Sequence, residues 1–147
     1  MNSQTVMVRR TLAASCEEVF DAWLDADGMR EWMCPGPVTG SEVELEPRVG
    51  GQFRIVMTAP GAKFVNNGEF RVLDRPVKLQ FTWVSSRWGQ EETLVTVELF
   101  RRDDQCELVL THERFPAMHS AGQLVIGWGQ MLEKLGKWLA GSEGVRS

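Results

Sequence analysis

The chain has 147 residues, of which 43% are hydrophobic and 24% charged, and its net charge is −4. One domain spanning residues 1–147 is therefore expected, and the composition argues against a disordered chain or a nucleic-acid binder. No apolar run approaches the ~20 residues of a membrane span, and the amino-terminal stretch lacks the apolar centre of a signal peptide, so we expect a cytoplasmic protein.

The first predicted element is a strand over Thr5–Leu12, in which alternate residues face the interior. Arg10 lies on that inward face, and a buried guanidinium needs a partner. It can form a structural ion pair with Glu44 or another carboxylate, or it can bind an anionic group of a ligand. The sequence leaves both roles open.

Two short helices are predicted next. Ser15 and Glu18 have the spacing of a capping box, followed by apolar residues at helical intervals. A second helix is predicted from Gly28 to Met33, and the prolines that follow it prevent its continuation. Six strands with turn residues between them are then expected from Ser41 to Glu113, as an antiparallel meander with one covered face.

The last predicted element is a long helix, whose start is indicated by Ser120 and Gln123. Its apolar side chains fall within an arc of roughly 120° at 100° per residue, so this helix is expected to cover the sheet. The stripe consists of Leu124, Trp128, Met131, Leu132, Leu135, Trp138 and Leu139. Three glycines spaced seven apart line one flank and predict close backbone approach or open space. They are Gly122, Gly129 and Gly136.

The order of these elements resembles the helix-grip fold of the SRPBCC superfamily, which includes START domains and birch-pollen allergens. Over residues 6–140 the sequence is similar to the branch named after the activator of the heat-shock-protein ATPase. The residues that match this branch are Arg10, Trp32, Pro35, Gly50, Gly51, Leu110, Thr111, His112, Gly127 and Trp128. The resemblance implies an α+β fold in which a curved, seven-stranded antiparallel sheet (β-α-α-β6-α) wraps around the C-terminal helix.

His112 is the main candidate for polar chemistry, because it shares a strand face with Leu108 and Leu110. An inward imidazole can be satisfied structurally, orient a ligand or exchange protons near neutral pH. The aromatic residues are either pocket walls or simply core. The predicted ligand-binding residues are Arg10, Trp32, Phe53, Phe70, Phe81, Trp83, His112, Trp128, Met131 and Leu135. Trp88 lies in a polar loop, where it can act as a lid or an interface anchor.

No catalytic residue, metal or cofactor is predicted. Cys16, Cys34 and Cys106 are odd in number and far apart, which favours reduced thiols. His112 and His119 are seven residues apart with Pro116 between them, so they lack the spacing of a zinc-protease motif.

Three functions are compatible with this pattern. The favoured one is binding of a small hydrophobic molecule in a cavity between the sheet and the C-terminal helix. A stress-related protein-interaction module with a chaperone partner is the first alternative, and a cyclase- or hydrolase-type enzyme is the second. The sequence leaves open whether the protein is a monomer or a homodimer.

Overall fold

The computed structural model describes residues 3–86, 92–116 and 121–146. Ser120 and Trp88, for which a helix cap and a lid or anchor were predicted, lie outside these ranges. The described elements run in the order strand, two helices, six strands and helix. They are β1 Ser3–Leu12, α1 Cys16–Ala22, α2 Ala26–Trp32, β2 Gly40–Leu45, β3 Gln52–Ala59, β4 Ala62–Asp74, β5 Lys78–Ser85, β6 Glu92–Arg102, β7 Gln105–Pro116 and α3 Ala121–Arg146.

Side-chain caps start both short helices. The Glu18 backbone N–H donates to Ser15 Oγ at 3.1 Å, and the Ser15 N–H donates to the Glu18 carboxylate at 3.0 Å, which confirms the capping box. Helix α2 begins at Ala26, two residues before the predicted start. The reason is a cap at Asp25, whose side chain accepts a hydrogen bond from the Gly28 N–H at 3.1 Å.

The strands form one antiparallel sheet with the order β1-β7-β6-β5-β4-β3-β2. The predicted meander is therefore confirmed for β2 to β7, and β1 closes onto the last strand of the meander. Arg10 and Glu44 lie on β1 and β2, the two edge strands of the sheet, and Glu44 is exposed. They form no ion pair, so the suggested pairing between them is wrong. Arg10 instead donates from Nη1 to the Arg9 carbonyl oxygen at 2.8 Å.

Helix α3 covers the inner face of the curved sheet with the predicted apolar stripe. Trp128, Met131, Leu132, Leu135 and Leu139 are all buried. Leu124 and Trp138, at the borders of the stripe, are only partly buried. The α+β helix-grip architecture expected from the sequence is thus confirmed.

The inner face beside α1 and α2 is filled by aromatic rings. Phe53 lies 5.4 Å from both Phe70 and Phe81, and Trp23 lies 4.9 Å from Trp32 in an edge-to-face arrangement (ring-centroid distances). Only about 10 Å³ remains free among these rings, room for one water molecule at most. The aromatic cluster is therefore packed core.

All three cysteines are free thiols in buried positions. The Cys16 thiol donates a hydrogen bond to the Cys106 sulfur across 2.7 Å, which ties the start of α1 to β7. Burial raises the pKa of the Cys106 thiol well above its ordinary value. This thiol is therefore protonated and chemically unreactive at neutral pH.

The glycines of the helices differ in what surrounds them. A Cβ added at Gly129 would lie 2.8 Å from Arg10 Nη2, and one at Gly136 would lie 3.4 Å from Leu12 Cδ2. The flank with these two glycines therefore approaches β1 closely. A Cβ added at Gly28 in α2 would lie 2.5 Å from the Trp138 ring. A Cβ added at Gly127 in α3 would have no neighbouring side chain within 4 Å.

Replacing Gly28 with alanine should destabilise the protein, because the new methyl group collides with Trp138. Gly127→Ala is the matched control, since it gains the same helix propensity of up to about 1 kcal/mol without a collision. We expect the free energy of unfolding, measured in denaturant, to fall by about 1–3 kcal/mol for Gly28→Ala and to stay equal or rise for Gly127→Ala. Equal stability of the two variants would contradict the close contact between α2 and α3.

Candidate functional site

A chain of hydrogen bonds joins α3 to the inner face of the sheet. Trp128 Nε1 donates to His112 Nδ1 at 3.0 Å. His112 Nε2 lies 2.8 Å from Thr93 Oγ1, and the Thr93 hydroxyl donates to the Trp83 carbonyl oxygen at 2.5 Å. His112 is completely buried, so these partners replace water around its ring.

The bonding pattern fixes the protonation of His112. An indole N–H can only donate, so Nδ1 must carry a lone pair. The single hydroxyl proton of Thr93 is already directed to Trp83, so Nε2 must donate its own proton to Thr93. Burial lowers the pKa of His112 from 6.5 to about 3, which keeps this neutral tautomer at physiological pH.

Beside this hydrogen-bond chain lies a cleft of about 310 Å³, which we call the α3 cleft. It is bounded by the sheet, by the first half of α3 and by the segment 35–37. Its lining residues are Pro35, Gly36, Pro37, Met57, Asn66, Trp83, Ser85, His112, Gln123, Leu124, Ile126, Gly127, Trp128, Gln130 and Met131. Such a volume is at the lower end of the range for small-molecule sites.

One side of the cleft is held in place by hydrogen bonds to the segment before β2. Lys134 on α3 donates from Nζ to the Cys34 carbonyl oxygen at 2.6 Å, and Ser41 donates from Oγ to the Met33 carbonyl oxygen at 2.7 Å. Gly36 adopts a positive φ of 56°, which favours glycine at this turn. The residues just before the turn are therefore attached both to α3 and to the start of β2.

The floor of the α3 cleft contains short polar side chains. Asn66 on β4 and Ser85 on β5 are directly paired across the sheet and are 3% and 2% exposed. The Asn66 amide donates from Nδ2 to the Ile55 carbonyl oxygen at 3.4 Å. No lining residue in the described part of the chain carries a charge, since His112 is neutral.

Four of the predicted site residues line the α3 cleft, namely Trp83, His112, Trp128 and Met131. Phe53, Phe70, Phe81 and Trp32 belong instead to the packed aromatic cluster described above. Leu135 is completely buried in the core, and Arg10 contacts the flank of α3 near Gly129. The structure thus brings together only part of the predicted set, and ligand contact by any of these residues remains a prediction.

Sequence analysis missed the polar floor and one wall. Asn66 could have been found, because it precedes Phe70 by four residues on β4 and so shares its inward face. Recognising Ser85 required the end of β5 to be extended past the hydrophobic run. The prolines at 35 and 37 were interpreted only as the end of a helix, although they also bound the cleft.

The cleft shows few features of a catalytic or metal centre. Among the described residues there is no group of three or more potential metal ligands. His112 has both ring nitrogens hydrogen-bonded and a depressed pKa, so it is poorly suited to exchange protons near neutral pH. In the described part of the chain, no helix has both the length and the apolar character needed to cross a membrane.

A helix-grip fold with an uncharged cleft under its last helix defines the class of this protein. A family model described as "Activator of Hsp90 ATPase homolog 1-like protein" matches residues 13–140. The chain therefore belongs to this family, in agreement with the resemblance to the SRPBCC superfamily seen in its sequence. Among curated proteins, none matches this sequence.

Solved structures from several bacteria have the same fold. Protein CV1439 of Chromobacterium violaceum has a TM-score of 0.81 and 22% identity, with 90% of this chain and 95% of that chain covered. NE0264 of Nitrosomonas europaea has a TM-score of 0.83 and 21% identity, with coverage of 95% and 96%. Mll3558 of Rhizobium loti has a TM-score of 0.79 and 25% identity, with coverage of 93% and 97%.

The lowered pKa of His112 should make stability depend on pH. Below pH 6.5 the His112 imidazole takes up a proton in the unfolded chain, whereas in the folded protein it stays neutral down to about pH 3. Stability therefore falls as the pH falls from 6.5 to about 3. We expect the free energy of unfolding to be about 1.4 kcal/mol lower at pH 5.5 than at pH 7.5 from this group alone. Denaturant titrations at the two pH values measure the difference.

The controls for this prediction use the two histidines of the sequence. His119→Gln should keep the pH dependence that His112 causes, whereas His112→Gln should lose it. NMR titration of the imidazole signals tests the same point without relying on a folded His112 variant. A His112 resonance that titrates near pH 6.5 in the folded protein would contradict the prediction.

Proposed function

We propose that this protein binds a small, uncharged and largely apolar molecule in the α3 cleft. The observation that carries the proposal is the wall of the cleft, where Trp83, Trp128 and Met131 provide apolar surface and no described side chain is charged. An ion entering this site would lose hydration without gaining a counter-charge from the described residues. A neutral molecule gains apolar contact at no such cost.

The rigidity of the surrounding groups supports the proposal. Trp128 packs against Trp83 at a centroid distance of 5.4 Å and is hydrogen-bonded to His112. These side chains are therefore held in one arrangement before any ligand arrives, which lowers the entropy lost on binding. The family and the helix-grip fold are compatible with a ligand-binding module.

A protein-interaction role is the second candidate. Val125 and Ile126 are adjacent on α3 and are 39% and 61% exposed, an observation that favours an apolar contact surface. The name of the family refers to activation of the Hsp90 ATPase, which makes a chaperone the partner to test. The two candidates differ in whether a small molecule stabilises the isolated protein.

The proposed function is tested by obstructing the α3 cleft. Gly127 lines the cleft and has open space around its Cβ position, so Gly127→Leu should place a side chain in or beside the cleft without straining the fold. Gly141→Leu is the matched control, because Gly141 lies on the same helix, also in open space, and is not a lining residue. Both substitutions improve helix propensity.

N-phenyl-1-naphthylamine is a suitable probe, since it is neutral, largely apolar and fluoresces more strongly in apolar surroundings. We expect it to bind the wild type and the Gly141→Leu variant alike, and to bind Gly127→Leu at least about tenfold more weakly, equivalent to 1.4 kcal/mol. Probe binding should also raise the melting temperature of the wild type. Absence of binding to the wild type, or equal binding to both variants, would refute the proposed site.

A further inference from the structure

The α3 cleft contains a deeply buried hydrogen-bond acceptor that the described residues leave unused. Asn66 is 3% exposed, and its amide forms a single hydrogen bond, from Nδ2 to the Ile55 carbonyl oxygen. A carbonyl oxygen can only accept, so the nitrogen of the Asn66 amide must face Ile55. The orientation of the amide is thereby fixed, with Oδ1 on the other side.

Oδ1 of Asn66 has no hydrogen-bond partner among the described residues, yet it is not sealed inside the protein. The described side-chain atoms that are fully buried without a partner are the indole nitrogens of Trp23 and Trp32. Asn66 lines the α3 cleft, so its oxygen remains accessible from that space. A polar atom in this position favours a ligand that can donate a hydrogen bond to it.

The other polar groups of the cleft are arranged differently. Both ring nitrogens of His112 are bonded to protein groups, as described above. Gln123 and Gln130 lie on exposed positions of α3, towards solvent. Asn66, which lines the cleft together with Met57 and Trp83, is therefore a group that can select a ligand by hydrogen bonding at the floor of the cleft.

We propose that Asn66 Oδ1 accepts a hydrogen bond from the ligand, and that the ligand class is an uncharged apolar molecule carrying one hydroxyl or N–H donor. This inference rests on the proposed function of the α3 cleft. It adds that the ligand is oriented with its donor towards β4 and its apolar body against Trp83 and Trp128. Hydrocarbons of the same shape bind without this orientation.

The test uses ligands that differ only in the donor group. 2-Naphthol carries an O–H donor, 2-methylnaphthalene carries a methyl group in its place, and 2-methoxynaphthalene keeps the oxygen but has no donor. Displacement of N-phenyl-1-naphthylamine gives the affinity of each compound at pH 7. The variant is Asn66→Leu, which keeps the number and branching of the side-chain heavy atoms but has no hydrogen-bonding group. The control is Asn67→Leu on the exposed, opposite face of the same strand.

We expect Asn66→Leu to lower the affinity for 2-naphthol by about tenfold. Its affinities for 2-methylnaphthalene and 2-methoxynaphthalene should change by less than about threefold. Asn67→Leu should leave all three affinities unchanged. In the wild type itself, 2-naphthol should bind more tightly than 2-methoxynaphthalene, a comparison that requires no substitution. Two results would overturn the inference. One is an equal loss of affinity for all three compounds in Asn66→Leu, and the other is no preference of the wild type for 2-naphthol over 2-methoxynaphthalene.

Failure of the inference and failure of the proposed function give different results. If the probe binds and Gly127→Leu weakens it, but the naphthalene compounds are not distinguished, the cleft binds apolar molecules and Asn66 does not select among them. If the probe does not bind the wild type at all, the proposed function itself fails and the inference falls with it.

Discussion

The hydrogen bond from Trp128 to His112 is the contact on which the geometry of the cleft depends. It joins the first half of α3 to the inner face of β7 over 3.0 Å. Because the indole can only donate, the bond requires His112 to be neutral, and burial maintains that state by lowering its pKa to about 3. Trp128 is thereby held against Trp83 and Trp23. It packs in the core and also lines the cleft.

The inner face of the sheet is divided into two regions by the size and polarity of its side chains. Next to α1 and α2, the rings of Phe53, Phe70 and Phe81 leave almost no free space. Next to the first half of α3, the sheet contributes the shorter side chains of Asn66 and Ser85, and a cleft of about 310 Å³ remains. Among the glycines of α3, Gly129 and Gly136 allow close contact with β1, whereas Gly127 borders the cleft and faces open space.

Membership of the Hsp90 ATPase activator homolog-like family establishes the architecture, whereas the wall of the cleft determines what can enter it. The described wall combines apolar surface with uncharged polar groups, most of which already bond to the protein. Selectivity in such a site depends on the few polar atoms that remain available, because apolar contact discriminates weakly among ligands of similar shape. An amide oxygen at the floor is well placed for that purpose, since it belongs to a residue that lines the space in which a ligand would lie.

The sequence by itself determined the element order, the capping of α1, the apolar stripe of α3 and the inward direction of His112. These features follow from local periodicity and from residues three or four positions apart, which the linear sequence contains directly. It could not determine that Arg10 and Glu44 lie at opposite edges of the sheet, because strand order depends on how the meander closes. Nor could it separate Phe53 and Phe81 as core from Trp83 and Trp128 at the cleft, since all four occupy inward positions of their strands or helix. Only the tertiary structure decided which polar atoms are satisfied: the partners of His112 and Asn66 come from other strands and from α3, and their distances are set by packing.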